Sequence, residues 1–326
     1  MAGTEARGDT AVLAYLQKRA LHSLVVLLII CSLTFVLVRL APGLPQIMTG
    51  DLLTNEDRML FQKNLGLDRP IHEQYLIWWS HVIRGDFGES WTERAPVMSV
   101  LLNRLPNTLI LAGAALLISI VVGIPVGIFS AVRRYTLPDY LLTTFTFLGL
   151  AVPNFWLGLI LILLFSVHWQ VLPSAGMYTI GTDPSLSDRL EHLILPSLVL
   201  ASSTLAQLVR FTRSSMIEVL DLDYIRTARA KGLKEWAVLA HHGLRNAMIP
   251  VITIVGLQIP RFIGGSIVVE SIFAWPGIGR LAYSSAITRD YPMIMGITIF
   301  VAMLVLVANV LTDILYTLVN PRIRLQ

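Results

Sequence analysis

Six stretches of roughly twenty mostly apolar residues constrain this chain more than any other feature: 21–41, 108–132, 141–167, 193–209, 249–269 and 294–318. A helix rises 1.5 Å per residue, so about 20 apolar residues cross the ~30 Å hydrocarbon layer. Inside that layer the backbone must satisfy its own hydrogen bonds, which favours helices. The expected fold class is an all-α integral membrane protein with six transmembrane helices. Composition agrees, with 55% hydrophobic and only 14% charged residues, against about 25% charged in soluble domains. The net charge of +4 does not point to nucleic acid in so apolar a chain; Lys and Arg here mark a cytoplasmic face. The lone cysteine, Cys31, sits inside the first apolar run, so no intrachain disulfide forms and it reads as a small buried hydrophobe. That first run is longer than a signal-peptide core and has no small-x-small cleavage pattern after it, so it reads as a retained anchor.

Charge in the connections sets the orientation. One set holds Arg7, Lys18 and Arg19, then Arg133 and Arg134, then Arg213, Arg226, Arg229, Lys231, Lys234 and Arg245, then Arg322 and Arg324. The opposite set, 168–192 and 272–290, holds only Arg189, Arg280 and Arg289. Thirteen cations against three place both termini and the 213–248 loop in the cytoplasm. Trp78, Trp79, Trp91, Trp169 and Trp275 then fall on the outer side or near its interface, as an aromatic belt would. The domain reading is a cytoplasmic tail (1–20), a first span (21–41), an external segment (42–107), a permease core (108–318) and a cytoplasmic tail (319–326).

The external segment 42–107 reads as a small cap, too small for an independent core. Pro42, Gly43 and Pro45 stop the first span. Helices are expected over 57–65, closed by Gly66, and over 75–83, where Tyr75, Trp78, Trp79 and Val82 recur at helical spacing. Residues 84–88 form a turn, and Asn103-Arg-Leu-Pro106 leads into the second span.

Catalytic patterns are missing. No GxxxxGK[ST], HExxH, CxxC or GxSxG occurs, and the seven histidines lack metal-ligand spacing. His241 and His242 are adjacent and point apart on a helix. No metal or catalytic site is expected, and no cofactor on this chain. Polar groups inside the apolar runs are few: Gln207 and Arg210, Gln258 and Arg261, Asn309 and Asp313. Arg210 and Asp313 lie near the interface and can snorkel. Gln258 and Arg261 stand three apart on one face, on a helix interrupted by Pro250 and Pro260. Gln207, Gln258, Arg261 and Asn309 are therefore the candidate pathway residues. A secondary transporter or channel also accommodates six spans, but no repeat with broken helices in both halves is evident.

Between the fourth and fifth runs lies a polar, basic, helix-forming stretch. Its sequence Asp223-Tyr-Ile-Arg-Thr-Ala-Arg-Ala-Lys-Gly232, followed by Leu244-Arg-Asn-Ala-Met-Ile-Pro250, resembles the EAA-type loop of ABC importer permeases. Leu65-Gly-Leu-Asp-Arg-Pro70, Gly85-Asp-Phe-Gly88, Pro153-Asn-Phe-Trp156, Phe273-Ala-Trp-Pro-Gly277, Arg289-Asp-Tyr-Pro292 and Asn320-Pro-Arg-Ile-Arg324 extend the likeness. Together they are similar to the "B" permease of dipeptide, oligopeptide, glutathione and nickel importers.

The resemblance implies a type I ABC importer fold and a heterodimer with a second permease. It implies two ATPase subunits, which hold ATP and Mg, and an external substrate-binding protein. A short coupling helix would dock on the ATPases, formed by Asp223, Tyr224, Ile225, Arg226, Thr227, Ala228, Arg229, Ala230 and Lys231 and ended by Gly232, with Tyr224 and Ile225 exposed. Peptides are the first-choice substrate, with nickel or a metal chelate and glutathione as alternatives. The chain departs from the family at Leu44, where relatives carry aspartate, and at Pro260 and Arg261.

Overall fold

The computed structural model describes residues 2–41, 45, 54–64, 66–181, 183 and 185–319; these form helices and their connections, with no β-strand among the described residues. The helices are α1 (Ala2–Leu40), α2 (Asn55–Asn64), α3 (Ile71–Val82), α4 (Val97–Val132), α5 (Leu137–Ala151) and α6 (Asn154–Leu161), the last extended by a π-helical stretch, Ile162–His168. There follow α7 (Leu186–Leu220), α8 (Asp223–Ala230), and α9 (Glu235–Ala237), which continues through a π-helical stretch, Val238–Leu244, into α10 (Arg245–Gly265). The last are α11 (Ile267–Ile272), α12 (Ile278–Thr288) and α13 (Tyr291–Val319).

Four of these, α1, α4, α7 and α13, contain single runs long and apolar enough to cross a membrane; the bent pairs α5–α6 and α9–α10 bring the total to six if each is one span. The expected span over 141–167 is bent by 107° between α5 and α6. Pro153 causes the bend. A residue preceding proline is pushed out of the helical region, and Val152 sits at ψ 122° before α6 restarts. The second span is longer than expected, because Asn103–Pro106 lies within α4. α7 likewise runs to Leu220, so the first two turns of the expected 213–248 loop are helix. The turn at Pro42, Gly43 and Leu44, and the motif 320–324, lie outside the described residues.

The chain divides into two compact units. The first comprises α1–α3, α4 to Pro106, α12 from Arg280 and α13 to Val307. Here α3 packs on the end of α1 through rings, with Phe35 5.3 Å from Tyr75 and 5.7 Å from Trp78. The Ser32 and Tyr75 hydroxyls hydrogen-bond at 2.7 Å, and Cys31 is fully buried. Asp290 caps α13 by accepting from Met293 N (3.2 Å), and it also accepts from Ser90 Oγ (2.5 Å) and Thr92 N (3.0 Å).

The second unit is built on α7. Gly123 and Gly127 of α4 let the two helices meet closely, as small residues four apart do in membranes. A Cβ on Gly127 would stand 2.8 Å from Val209 O and 2.6 Å from Thr212 Cβ. Leu111, Ala115, Leu195, Val199, Phe262 and Phe273 form the main core. Trp275 belongs to that core and is fully buried, which removes it from the expected aromatic belt. Its indole N–H needs an acceptor once buried and donates to Asn107 O at 2.9 Å.

Candidate functional site

The polar stretch after α7 folds as its composition dictates. α8 begins at Asp223, whose charge suits a helix N-terminus. It closes at the one residue free to take a left-handed backbone: Gly232 has φ +76°. Gly232 N donates to Arg229 O (2.9 Å) and Leu233 N to Ala228 O (3.4 Å), the paired bonds of a Schellman end. Arg229 then reaches past the turn to grip Glu235 through two bonds of 3.2 and 2.7 Å.

One narrow side of α8 faces protein. Ile225 and Ala228 are buried against Val238, with Leu220 alongside. Ile225 is 0% exposed, which corrects the expectation that it projects into solvent. Position 225 points inward because the π-helical stretch returns Val238 to meet it. Asp223, Tyr224, Arg226, Thr227, Arg229, Ala230, Lys231 and Gly232 are exposed. Tyr224 is 40% exposed while its hydroxyl accepts from Asn246 Nδ2 at 2.8 Å. Three exposed apolar side chains beside α8 were not singled out from the sequence: Leu222, Leu233, and Trp236 at 63% exposure. A tryptophan in an otherwise polar loop was the available signal.

The candidate pathway residues are brought together only in part. Gln258 is 4% exposed; its Nε2 donates to Gln207 Oε1 (3.2 Å), and Thr204 Oγ1 donates to its Oε1 (3.4 Å). This polar set joins α10 to α7. Arg261 is exposed on the adjoining face with Leu257 and Pro250. The expected single polar stripe of Gln258 and Arg261 is thereby corrected: three residues turn a helix by about 300°, and the 60° remainder separates a buried seam from an open one. Asn309 is half-buried and does not bond to the Gln207–Gln258 pair among the described residues. The side chain of Asp313 lies outside the described ones. Arg210 is exposed, its guanidinium 5.2 Å from the Phe211 ring.

A second polar centre was not anticipated. Glu270 of α11 is 0% exposed and accepts from Thr108 Oγ1 (2.9 Å) and Ser266 Oγ (2.7 Å). Thr108 Oγ1 in turn accepts from Ile278 N at 2.8 Å, and Asn107 Nδ2 donates to Pro276 O at 3.0 Å. Gly277 is required here, because a Cβ would collide with the Glu270 carboxylate. A glutamate closing an apolar run, followed by Trp-Pro-Gly, was the signal in the sequence.

The chain as a whole is similar to known proteins. Residues 123–325 match the family described as binding-protein-dependent transport system inner membrane component, and residues 12–112 match its N-terminal companion. The chain is 49% identical over 312 residues to the oligopeptide transport system permease protein AppB of Bacillus subtilis, covering 95% of this chain and 99% of that one. It is 41% identical over 318 residues to the dipeptide transport system permease protein DppB of Escherichia coli K12 (90% and 94% covered). It is also 41% identical over 314 residues to the glutathione transport system permease protein GsiC of Salmonella typhimurium (96% and 99% covered). In three dimensions it resembles a chain of the MetNI methionine ABC transporter in inward-facing conformations. The TM-score is 0.55 at 16% identity, covering 68% of this chain and 97% of that one, which shows a shared fold.

Proposed function

This chain belongs to the family of binding-protein-dependent transport system inner membrane components, and from that premise we propose that it carries di- and oligopeptides as one half of a two-permease pathway. It is a multi-pass plasma-membrane permease subunit of an ABC importer. The peptide reading is supported by two relatives, at 49% and 41% identity, whose names specify oligopeptides and dipeptides. Glutathione, itself a small peptide, is the second reading, from the relative at 41%.

In this proposal the chain crosses six times, with both termini and α8 in the cytoplasm and segment 42–107 outside. The thirteen-to-three cation asymmetry supports that orientation. A homologous second permease completes the pathway, an external binding protein delivers substrate, and two partner ATPases bind ATP with Mg and hydrolyse it. The permease itself is non-catalytic.

One observation carries the coupling role. α8 is held by the buried Ile225 and Ala228, by Arg229 on Glu235 and by Tyr224 under Asn246, and it leaves Arg226, Lys231 and the exposed parts of Tyr224 and Arg229 to solvent. Leu233 and Trp236 add exposed apolar area beside it. Such a short helix, rigidly ended and otherwise uncovered, suits a groove on an ATPase. Closure of the ATPases would push α8, and through Leu220 and Val238 it would push α7 and the start of α10. Gln207, Gln258, Arg261 and Asn309 are the proposed pathway residues.

The test is ATP-driven uptake by proteoliposomes holding both permeases, both ATPases and the binding protein. Labelled dipeptide should accumulate only with ATP and binding protein present. Accumulation of glutathione or nickel with no peptide uptake would replace the substrate assignment, and peptide uptake by the lone chain would overturn the subunit role.

A further inference from the structure

The unit containing α1 and α3 forms a half-open pocket of about 270 Å³ that the transport cycle above does not use. One wall is an unbroken row of rings around a cation. Trp78 packs on Phe35 at 5.7 Å, the guanidinium of Arg39 lies 5.4 Å from Phe35 and 5.3 Å from Tyr291, and Tyr291 packs on Trp91 at 5.3 Å. Among the described residues, Arg39 forms no ion pair. The facing wall is the turn after α3, where Asp86 accepts from Gly88 N (2.9 Å) and bonds His81 Nδ1 (2.8 Å). Those bonds, that of Gly88 first, hold the Asp86 carboxyl below the usual range, so it is anionic at neutral pH.

Arg39 is the second-to-last residue of α1, and the run Leu21–Leu40 is a candidate membrane span with only 11% of its apolar window buried. Leu33, Val36, Leu37 and Leu40, around it on the same helix, are exposed apolar side chains. An arginine at a span end ordinarily snorkels toward lipid phosphates. Here it turns over two rings and lines a half-open pocket that the Asp86 carboxylate also lines. Aromatic faces attract cations, and guanidinium groups pair with phosphate.

We propose that this cavity binds the headgroup of a zwitterionic phospholipid, with phosphate on Arg39, ammonium between Asp86 and the Trp78 and Trp91 rings, and acyl chains along the exposed flank of α1. The site goes beyond the transport reading. It depends on α1 lying in a membrane and on nothing about the substrate.

The test titrates short-chain phosphatidylethanolamine and phosphatidylglycerol against the detergent-purified complex by native mass spectrometry. One phosphatidylethanolamine should bind about tenfold more tightly than phosphatidylglycerol, the effect of one charge-assisted contact. Arg39→Gln should weaken both lipids by about tenfold or more, while Arg39→Lys keeps most of the binding. Asp86→Asn, which still accepts from Gly88, should erase the preference for the ethanolamine lipid without weakening phosphatidylglycerol. Equal affinity of the two lipids in the parent, or parent-like binding by Arg39→Gln, overturns the proposal. Displacement of bound lipid by a free zwitterionic dipeptide also overturns it, by assigning the cavity to peptide. Peptide uptake is not a readout, so failure here leaves the transport reading standing.

Discussion

Arg213 holds Asp139 through two parallel hydrogen bonds, Nε to Oδ1 and Nη2 to Oδ2, each 2.7 Å long. The pair ties the C-terminal part of α7 to the first turn of α5. Asp139 is nearly buried, its side chain 2% exposed against 27% for Arg213, and it also accepts from Ser130 Oγ and from Tyr135 N. The two ends are therefore unequal. Arg213→Leu leaves a buried carboxylate without its main partner and should cost about 3–5 kcal/mol. Asp139→Asn leaves an arginine that water still reaches and should cost less than half as much. Thermal unfolding in detergent checks the order; equal, small losses would mean the pair is not what joins these helices.

The same pair shows what the sequence could and could not disclose. Arg213 enters the sequence reading only as one cation of a basic connection, and nothing near it in sequence announces Asp139, 74 residues away. Elements governed by neighbours in sequence were legible. α8 and its end at Gly232 follow from helix formers meeting a glycine, and Gly66 closes the region of α2 similarly. The bend at Pro153 was not read, because an apolar run records length and not direction. Ile225 was misplaced because its burial depends on Val238 coming back, and Glu270 was missed because its partner Thr108 lies in another helix.

Gly232 tests the end of α8. A Cβ there would meet nothing within 4 Å, yet φ is +76°, so any cost is purely conformational. Gly232→Ala should lose about 1–2 kcal/mol, the penalty of the left-handed region. Gly232→Pro cannot adopt that φ at all, and it should uncouple ATP hydrolysis from uptake or prevent assembly. Normal yield and transport by the proline variant would remove this turn from the coupling role.

Buried and exposed residues of the α8 region should separate by readout. Ile225→Ala empties a fully buried site and should destabilise the purified chain by about 2–5 kcal/mol. Trp236→Ala alters an exposed group and should leave unfolding within about 0.5 kcal/mol of the parent, whereas Tyr224→Phe removes the acceptor of Asn246 and should cost about 0.5–1.5 kcal/mol. If this surface docks on the ATPases, Trp236→Ala should nevertheless reduce ATPase co-purification. Unchanged co-purification would exclude Trp236 from the interface.

Gly127 and Gly113 offer a controlled comparison within α4. A Cβ at Gly127 meets backbone, Val209 O, which cannot move without displacing α7, whereas Gly113 has nothing within 4 Å. Gly113→Ala should be neutral or stabilising by up to about 1 kcal/mol through the unfolded chain. Gly127→Ala should cost about 1–3 kcal/mol by overpacking, with Gly127→Leu worse still. Matching unfolding midpoints for the two alanine variants would show that α4 and α7 do not meet closely in the membrane.

Gln258 and Arg261 make the most demanding prediction, because one turn of α10 gives them opposite environments. Gln258 is buried against Gln207, and Gln258→Leu strands that partner, at about 1–3 kcal/mol; the double variant Gln207→Leu with Gln258→Leu should recover part of the loss. Arg261 is exposed on this chain, so Arg261→Leu should leave its unfolding unchanged. In a bilayer, an arginine facing lipid at mid-span costs about 2.5–3.5 kcal/mol on insertion scales. A water-filled pathway or an acidic group on the second permease relieves that cost. Transport should then fall in the order parent, Arg261→Lys, Arg261→Gln, Arg261→Leu, with assembly intact for a pathway charge and reduced for a pair at the permease seam. An Arg261→Leu complex that assembles and transports like the parent would exclude both roles.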